Sequence, residues 1–84
     1  MIQEIAVIGL GRFGTAVART LSDLGQEVLA IDVDEEKVQK LAPQVTTAVV
    51  ANVTDIDAMR AVGIRNVDVA VVAVGTELKA SIVG

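Results

Sequence analysis

Glycines at positions 9, 11 and 14 follow a strand-like run, Glu4 to Ile8, and an acidic residue, Asp32, stands 18 positions after the last of them. Residue types at this spacing can hold a nucleotide. Gly9 allows a tight turn off the strand, Gly11 lets backbone approach a phosphate, and Gly14 lets the following helix pack close to the sheet. The first turn of that helix has unpaired N–H groups and the positive end of the dipole, so a phosphate is held there without a lysine. Asp32, ending a second strand, would accept hydrogen bonds from a ribose hydroxyl pair. A plainer role is also open to it, as a strand-end carboxylate satisfied by water or nearby backbone amides.

A lone G-x-G-x-x-G is a weak signal, because glycine-rich turns often serve only helix–strand packing; what strengthens it is a strand before it, an amphipathic helix after it and a second strand ending on the acid. The pattern predicts a helix over about Arg12 to Leu24, with Phe13, Val17, Leu21 and Leu24 on one face and Gly25 as its left-handed stop. A strand, Glu27 to Ile31, is followed by Asp34 capping a helix, Glu35 to Leu41, whose acidic first turn suits the dipole and whose Val38 and Leu41 face the sheet. Pro43 is compatible with that ending. A third strand covers about Thr46 to Val50, Thr54 caps a short helix, Asp55 to Val62, and Gly63 ends it. The apolar run Asp68 to Val74 reads as a strand covered on both faces. Right-handed crossovers then give an α/β fold, a Rossmann-like parallel sheet in the order 3-2-1-4 with helices on both faces. A further helix is expected over about Leu78 to Val83. The free edge of the fourth strand suggests a domain truncated after it, either a fragment of a longer chain or half of an obligate oligomer.

The composition bounds the rest. Eighty-four residues, 52% hydrophobic, make one small domain, and with Phe13 as the single aromatic the core must be built from Val, Ile, Leu and Ala. Seven basic and eleven acidic residues give a net charge of -4 with no long charge run, so no nucleic-acid partner is expected. No stretch approaches the ~20 apolar residues of a membrane span, and there is no signal-peptide pattern, so no direct membrane insertion and a soluble, intracellular chain are expected. Without Cys or His, thiol nucleophiles, imidazole bases, disulfides and ordinary zinc sites are absent from the chain. No catalytic and no metal residues are assigned.

The stretch Ile5-Ala6-Val7-Ile8-Gly9-Leu10-Gly11-Arg12-Phe13-Gly14, with Gly25-Gln26-Glu27-Val28-Leu29-Ala30-Ile31-Asp32, resembles the regulatory domains of bacterial potassium uptake systems of the Trk and Ktr type, the RCK or TrkA-N domains. Asp34-Glu35-Glu36-Lys37-Val38, Ala51-Asn52-Val53-Thr54, Gly63-Ile64-Arg65-Asn66-Val67-Asp68 and Val71-Val72-Ala73-Val74-Gly75 extend the likeness over practically the whole chain. The resemblance implies that Arg12 meets the nucleotide phosphates, for which its bidentate guanidinium is suited. The alternative is a solvent-facing first-turn residue, although a cation there is unfavourable unless an anion is present. It also implies that Asn52 and Val53 contact the base; Val53 replaces the small residue typical of the family, which would tighten that pocket. Gly75 and Glu77, with Thr76, would line the far half of the site, and a turn-and-cap role serves Gly75 and Thr76 equally well. Phe13, Val33 and Lys37 complete the candidate set, Lys37 being as readily a solvated helix residue and Asp34 a helix cap.

The carboxylates Asp32, Asp34, Glu35 and Glu36 disfavour NADP, whose 2′-phosphate would sit among them, whereas ATP, ADP, AMP, NAD and NADH share an adenosine ribose with free hydroxyls. The resemblance thus implies a non-enzymatic, cytoplasmic, nucleotide-sensing subunit at the inner face of the membrane. Through ATP, ADP or NAD(H) it would gate a membrane potassium-translocating partner, as dimers that build an octameric ring in the full-length form. The alternative from another class is the cofactor-binding fragment of an NAD-dependent oxidoreductase; a third is the nucleotide-binding tail of a potassium efflux or antiporter protein.

Overall fold

A computed structural model describes residues 2–73 and 80–83 of the chain. Five strands form one sheet in the order β3-β2-β1-β4-β5. They are β1 (Glu4–Ile8), β2 (Glu27–Asp32), β3 (Thr47–Val50), β4 (Val69–Ala73) and β5 (Ala80–Val83), and the helices are α1 (Arg12–Asp23), α2 (Glu35–Leu41) and α3 (Ile56–Ala61). The first four strands are parallel, in the expected order 3-2-1-4, with Ile8 opposite both Ile31 and Val72 and Ile31 opposite Val49. Three strands therefore release their chains near one level of the sheet, directly before Gly9, Val33 and Ala51.

Alternation along β1 and β2 divides the core. Ile5, Val7, Val28 and Ala30 pack with Ala18 of α1 and Val38 and Leu41 of α2, whereas Ile8 and Ile31 turn to the other face and pack with Met59 of α3. Both faces of the central strands are covered, which is why those strands are almost wholly apolar.

Local chemistry ends the helices as expected at two places. Gly25 (φ 85°) follows α1, with its N–H on Ser22 O and that of Gln26 on Leu21 O, the paired bonds of a Schellman stop. Gly63 (φ 84°) follows α3 in the same left-handed conformation. The Asp34 side chain accepts from Glu36 N at 3.0 Å and caps α2, which runs on into a 3-10 turn, Ala42–Gln44, that contains Pro43.

Three expectations are corrected. The buried face of α1 is Gly14 and Ala18, flanked by half-buried Val17 and Leu21; Phe13 and Leu24 are 40% and 69% exposed. Close approach of Gly14 to the end of β1 turns the helix so that its apolar stripe is centred one residue later. The cap of α3 is Asp55, which accepts from Ala58 N at 3.1 Å, because the Thr54 hydroxyl is engaged with Asn52 Oδ1 at 2.7 Å. Of the helix expected over Leu78 to Val83, the described residues Ala80–Val83 form strand β5 instead, antiparallel to β4, Ala70 opposite Val83 and Ala73 opposite Ala80. Without β5 the outer edge of β4 would leave backbone donors and acceptors unpaired, and pairing them outweighs helix formation in so short a segment.

Candidate functional site

The glycine loop joins the carboxyl end of β1 to α1, at the level where β2 and β3 also end. Gly9 has φ 95°, a conformation costly for any residue with a Cβ, and its N–H donates to Ile31 O at 2.9 Å. At Gly14 a Cβ would collide with the Gly9 carbonyl oxygen and touch Ala73 Cβ. The chain itself thus requires these two glycines, Gly9 by its backbone conformation and Gly14 by its packing. Gly11 is different: a Cβ there would meet no atom of the described residues within 4 Å, and its φ of -73° suits any residue.

Gly11 occupies the N-cap position of α1, and among the described residues no side chain caps that helix and no acid stands in its first turn. The shorter helices are the reverse, with Asp34 and Asp55 as caps and Glu35, Glu36 and Asp57 in their first turns. The residue that α1 does present at its start is Arg12, exposed to solvent. Its first-turn N–H groups and an arginine side chain make this the most electropositive end of any helix described here.

Asp32, half-buried at the end of β2, ties two loops together. One carboxylate oxygen accepts from Leu10 N at 2.7 Å and the other from Asp34 N at 2.8 Å. The backbone-satisfied arrangement therefore exists in this structure. It does not exhaust the side chain, since an ionised carboxylate offers about four acceptor positions and these bonds use two. The Asp32 carbonyl receives Ala51 N at 3.1 Å, which brings the β3–α3 loop beside β2.

On that loop, Asn52 Oδ1 accepts both Thr54 N, at 2.9 Å, and the Thr54 hydroxyl. The side chain is thereby held as a turn-former through its oxygen, with its amide group not used in those bonds. Val33 and Val53 are 64% and 40% exposed beyond the ends of β2 and β3, and Lys37 is exposed in the first turn of α2. Gly9, Gly11, Arg12, Gly14, Asp32, Val33, Asn52 and Val53 accordingly share one edge of the molecule. Gly75, Thr76 and Glu77, expected at the mouth of β4, lie outside the described residues.

Thr15 was not among the expected residues, and its hydroxyl donates to Leu10 O at 3.0 Å. Exposed Val50 and Ile56 on the same edge were also not foreseen. The spacing from Leu10 to Thr15, one turn into α1, is the only sequence signal that could have pointed to the first. A groove of about 220 Å³ lies at the opposite, amino-terminal edge, where Glu4 and Glu27 stand beside Thr46, Thr47 and Asn66. Its two carboxylates make it unsuitable for phosphate. Among the described residues, no helix is long and apolar enough to cross a membrane.

Residues 5–83 match the family model described as TrkA-N domain. The chain is 46% identical over 79 residues to Ktr system potassium uptake protein A of Bacillus subtilis (strain 168), a match covering 94% of this chain and 36% of that protein. It is 45% identical over 82 residues to Ktr system potassium uptake protein C of the same organism, with 98% and 37% covered. Protein A of Vibrio alginolyticus is 41% identical over 80 residues, with 95% and 36% covered. The chain thus spans a little over a third of the length of these relatives.

Proposed function

The chain belongs to the TrkA-N domain family, and from that premise we propose that it is the nucleotide-binding unit of a regulatory subunit that controls a membrane potassium transporter. The observation that carries the reading is the start of α1. A helix of 12 residues begins there with Arg12 alongside, and among the described residues no side chain caps it and no atom stands near the missing Cβ of Gly11. Gly9 and Gly14 are explained by backbone conformation and packing within the chain. The lack of a side chain at Gly11 is explained by a phosphate group that needs close approach to backbone.

In this reading the N–H groups around Gly11 and the Arg12 guanidinium take the phosphates. Asp32 uses its remaining acceptor positions for the ribose hydroxyls, and Val33, Asn52 and Val53 contact the base. Phe13, Gly75 and Glu77 border the ligand, and Lys37 offers a further cation. Acidic Asp34, Glu35 and Glu36 beside Asp32 select against a 2′-phosphate. The ligand is ATP, ADP or NAD(H) rather than NADP. The domain acts as a sensor and not as a catalyst. It sits in the cytoplasm against the membrane partner and works as a homo-oligomer, in dimers that form an octameric ring in the full-length protein.

Gating follows if the ligands bind two arrangements of paired domains unequally; a bias of ~1–3 kcal/mol is typical of coupling between sites. Calorimetry of the purified protein with ATP, ADP, AMP, NAD and NADH tests the reading. Adenine-nucleotide binding that weakens in Asp32→Ala, with Arg12→Ala narrowing the difference between ATP and ADP, is the expected result. Failure of all five ligands to bind overturns it.

A further inference from the structure

The loop between β1 and α1 is held by more than its glycines. The Leu10 side chain is 3% exposed and anchored in the core. Its N–H is taken by Asp32 Oδ2, and its carbonyl accepts the Thr15 hydroxyl. Thr15 makes a second bond to the same loop through its own N–H, to Gly11 O at 2.9 Å.

A trans peptide is planar, so fixing one of its polar groups fixes the other in the opposite direction. The bond from Asp32 to the Leu10 N–H therefore also aims the Gly9 carbonyl, the group packed against Gly14. By the same geometry, the bond from Thr15 to the Leu10 carbonyl sets the direction of the Gly11 N–H. Two adjacent peptide planes are locked from opposite sides. One lock comes from the acid at the end of β2, 22 residues away, and the other from α1.

We propose that Asp32 and Thr15 together position the phosphate loop through the Leu10 peptides, so that ribose recognition and phosphate recognition are coupled at one residue; Thr15 is a positioning residue of the site. The inference rests on the nucleotide reading above. It assigns Asp32 a second task beyond the ribose, and gives Thr15 a role in binding without contact to the ligand.

Three probes separate the two halves of the site: adenosine, which has the ribose and no phosphate; tripolyphosphate, which has phosphates and no ribose; and ADP, which has both. Thr15→Val keeps the shape and removes the hydroxyl. It is expected to weaken tripolyphosphate and ADP about 3- to 10-fold, the scale of one lost hydrogen bond, and to leave adenosine unchanged. Thr15→Ser is expected to restore both. General loosening of the fold would weaken all three ligands alike, so an equal loss for adenosine overturns the proposal.

For Asp32→Ala the sign of the effect decides. Simple electrostatics predicts tighter tripolyphosphate binding once a negative charge is removed, whereas loss of loop positioning predicts weaker binding. Asp32→Leu, which keeps about the same size and removes both acceptor oxygens, carries the same test should the alanine variant not fold. Tripolyphosphate bound as tightly by both Asp32 variants as by the wild type, or more tightly, overturns the coupling and leaves the nucleotide reading standing. A wild-type protein that binds none of the three probes overturns the nucleotide reading and the coupling with it.

Discussion

At the scale of single residues, the three glycines separate by what constrains them. Gly14 is fixed by steric contact with the Gly9 carbonyl, and Gly11 has no atom of the described residues near its missing Cβ. Gly14→Ala should lower the unfolding free energy by about 2–3 kcal/mol, as expected when a side chain is forced into packed backbone. Gly11→Ala should leave stability within about 0.5 kcal/mol of the wild type and still abolish tight nucleotide binding. Urea unfolding and calorimetry on the same pair of variants check both halves. Equal destabilisation, or unimpaired binding by Gly11→Ala, would remove the case for phosphate at this loop. Arg12 is an exposed cation at a helix amino terminus, an unfavourable position in the free protein. Arg12→Ala is therefore expected to cost no stability in the absence of ligand and to weaken ATP more than AMP.

At the scale of elements, the helices divide between those completed by their own side chains and α1, which is not. Asp55 supplies the α3 cap, while Thr54 is occupied with Asn52. Asp55→Ala should destabilise the protein by about 1 kcal/mol, the usual cost of losing an N-cap, and Thr54→Ala by clearly less. Denaturant midpoints of the two variants decide which residue is the cap. Asp34→Ala combines cap loss with a position beside the Asp32 loop. A loss of nucleotide affinity beyond its stability effect would mark the Asp34 loop as part of the binding apparatus. The rotated face of α1 follows from the close approach of Gly14 to the Gly9 carbonyl, which outweighs burial of Phe13 and Leu24.

At the scale of the whole molecule, 84 residues support a folding free energy of about 4–12 kcal/mol by the usual per-residue range. Ile31 is fully buried between β1, β3 and α3, and its carbonyl also holds Gly9 N. Ile31→Ala should cost about 2–5 kcal/mol, a large part of that total, and shift the urea midpoint accordingly. Ligand at about 100 times its dissociation constant should return about 2.7 kcal/mol. Nucleotide therefore ought to raise the melting temperature of the wild type and of Ile31→Ala alike, and not that of Asp32→Ala. A melting temperature unmoved by saturating nucleotide would place the ligand elsewhere.

The parallel strand order, the capping of α2, the stops at Gly25 and Gly63 and the nucleotide-type loop were legible in the residues themselves. The cap and the stops depend on interactions within one turn, which neighbours in the chain set, and the strand order follows from the succession of strands and helices together with the fixed hand of their crossovers. Four features needed the folded chain: the face that α1 buries, the direction of β5, the space over Gly11, and the bonds from Asp32 to Leu10 and Asp34. The burial of α1 and the bond from Asp32 to Leu10 depend on how α1 and the end of β2 meet the loop after β1, and the direction of β5 depends on the edge that β4 offers it. These are contacts between separate elements, so the pattern within any one element does not carry them.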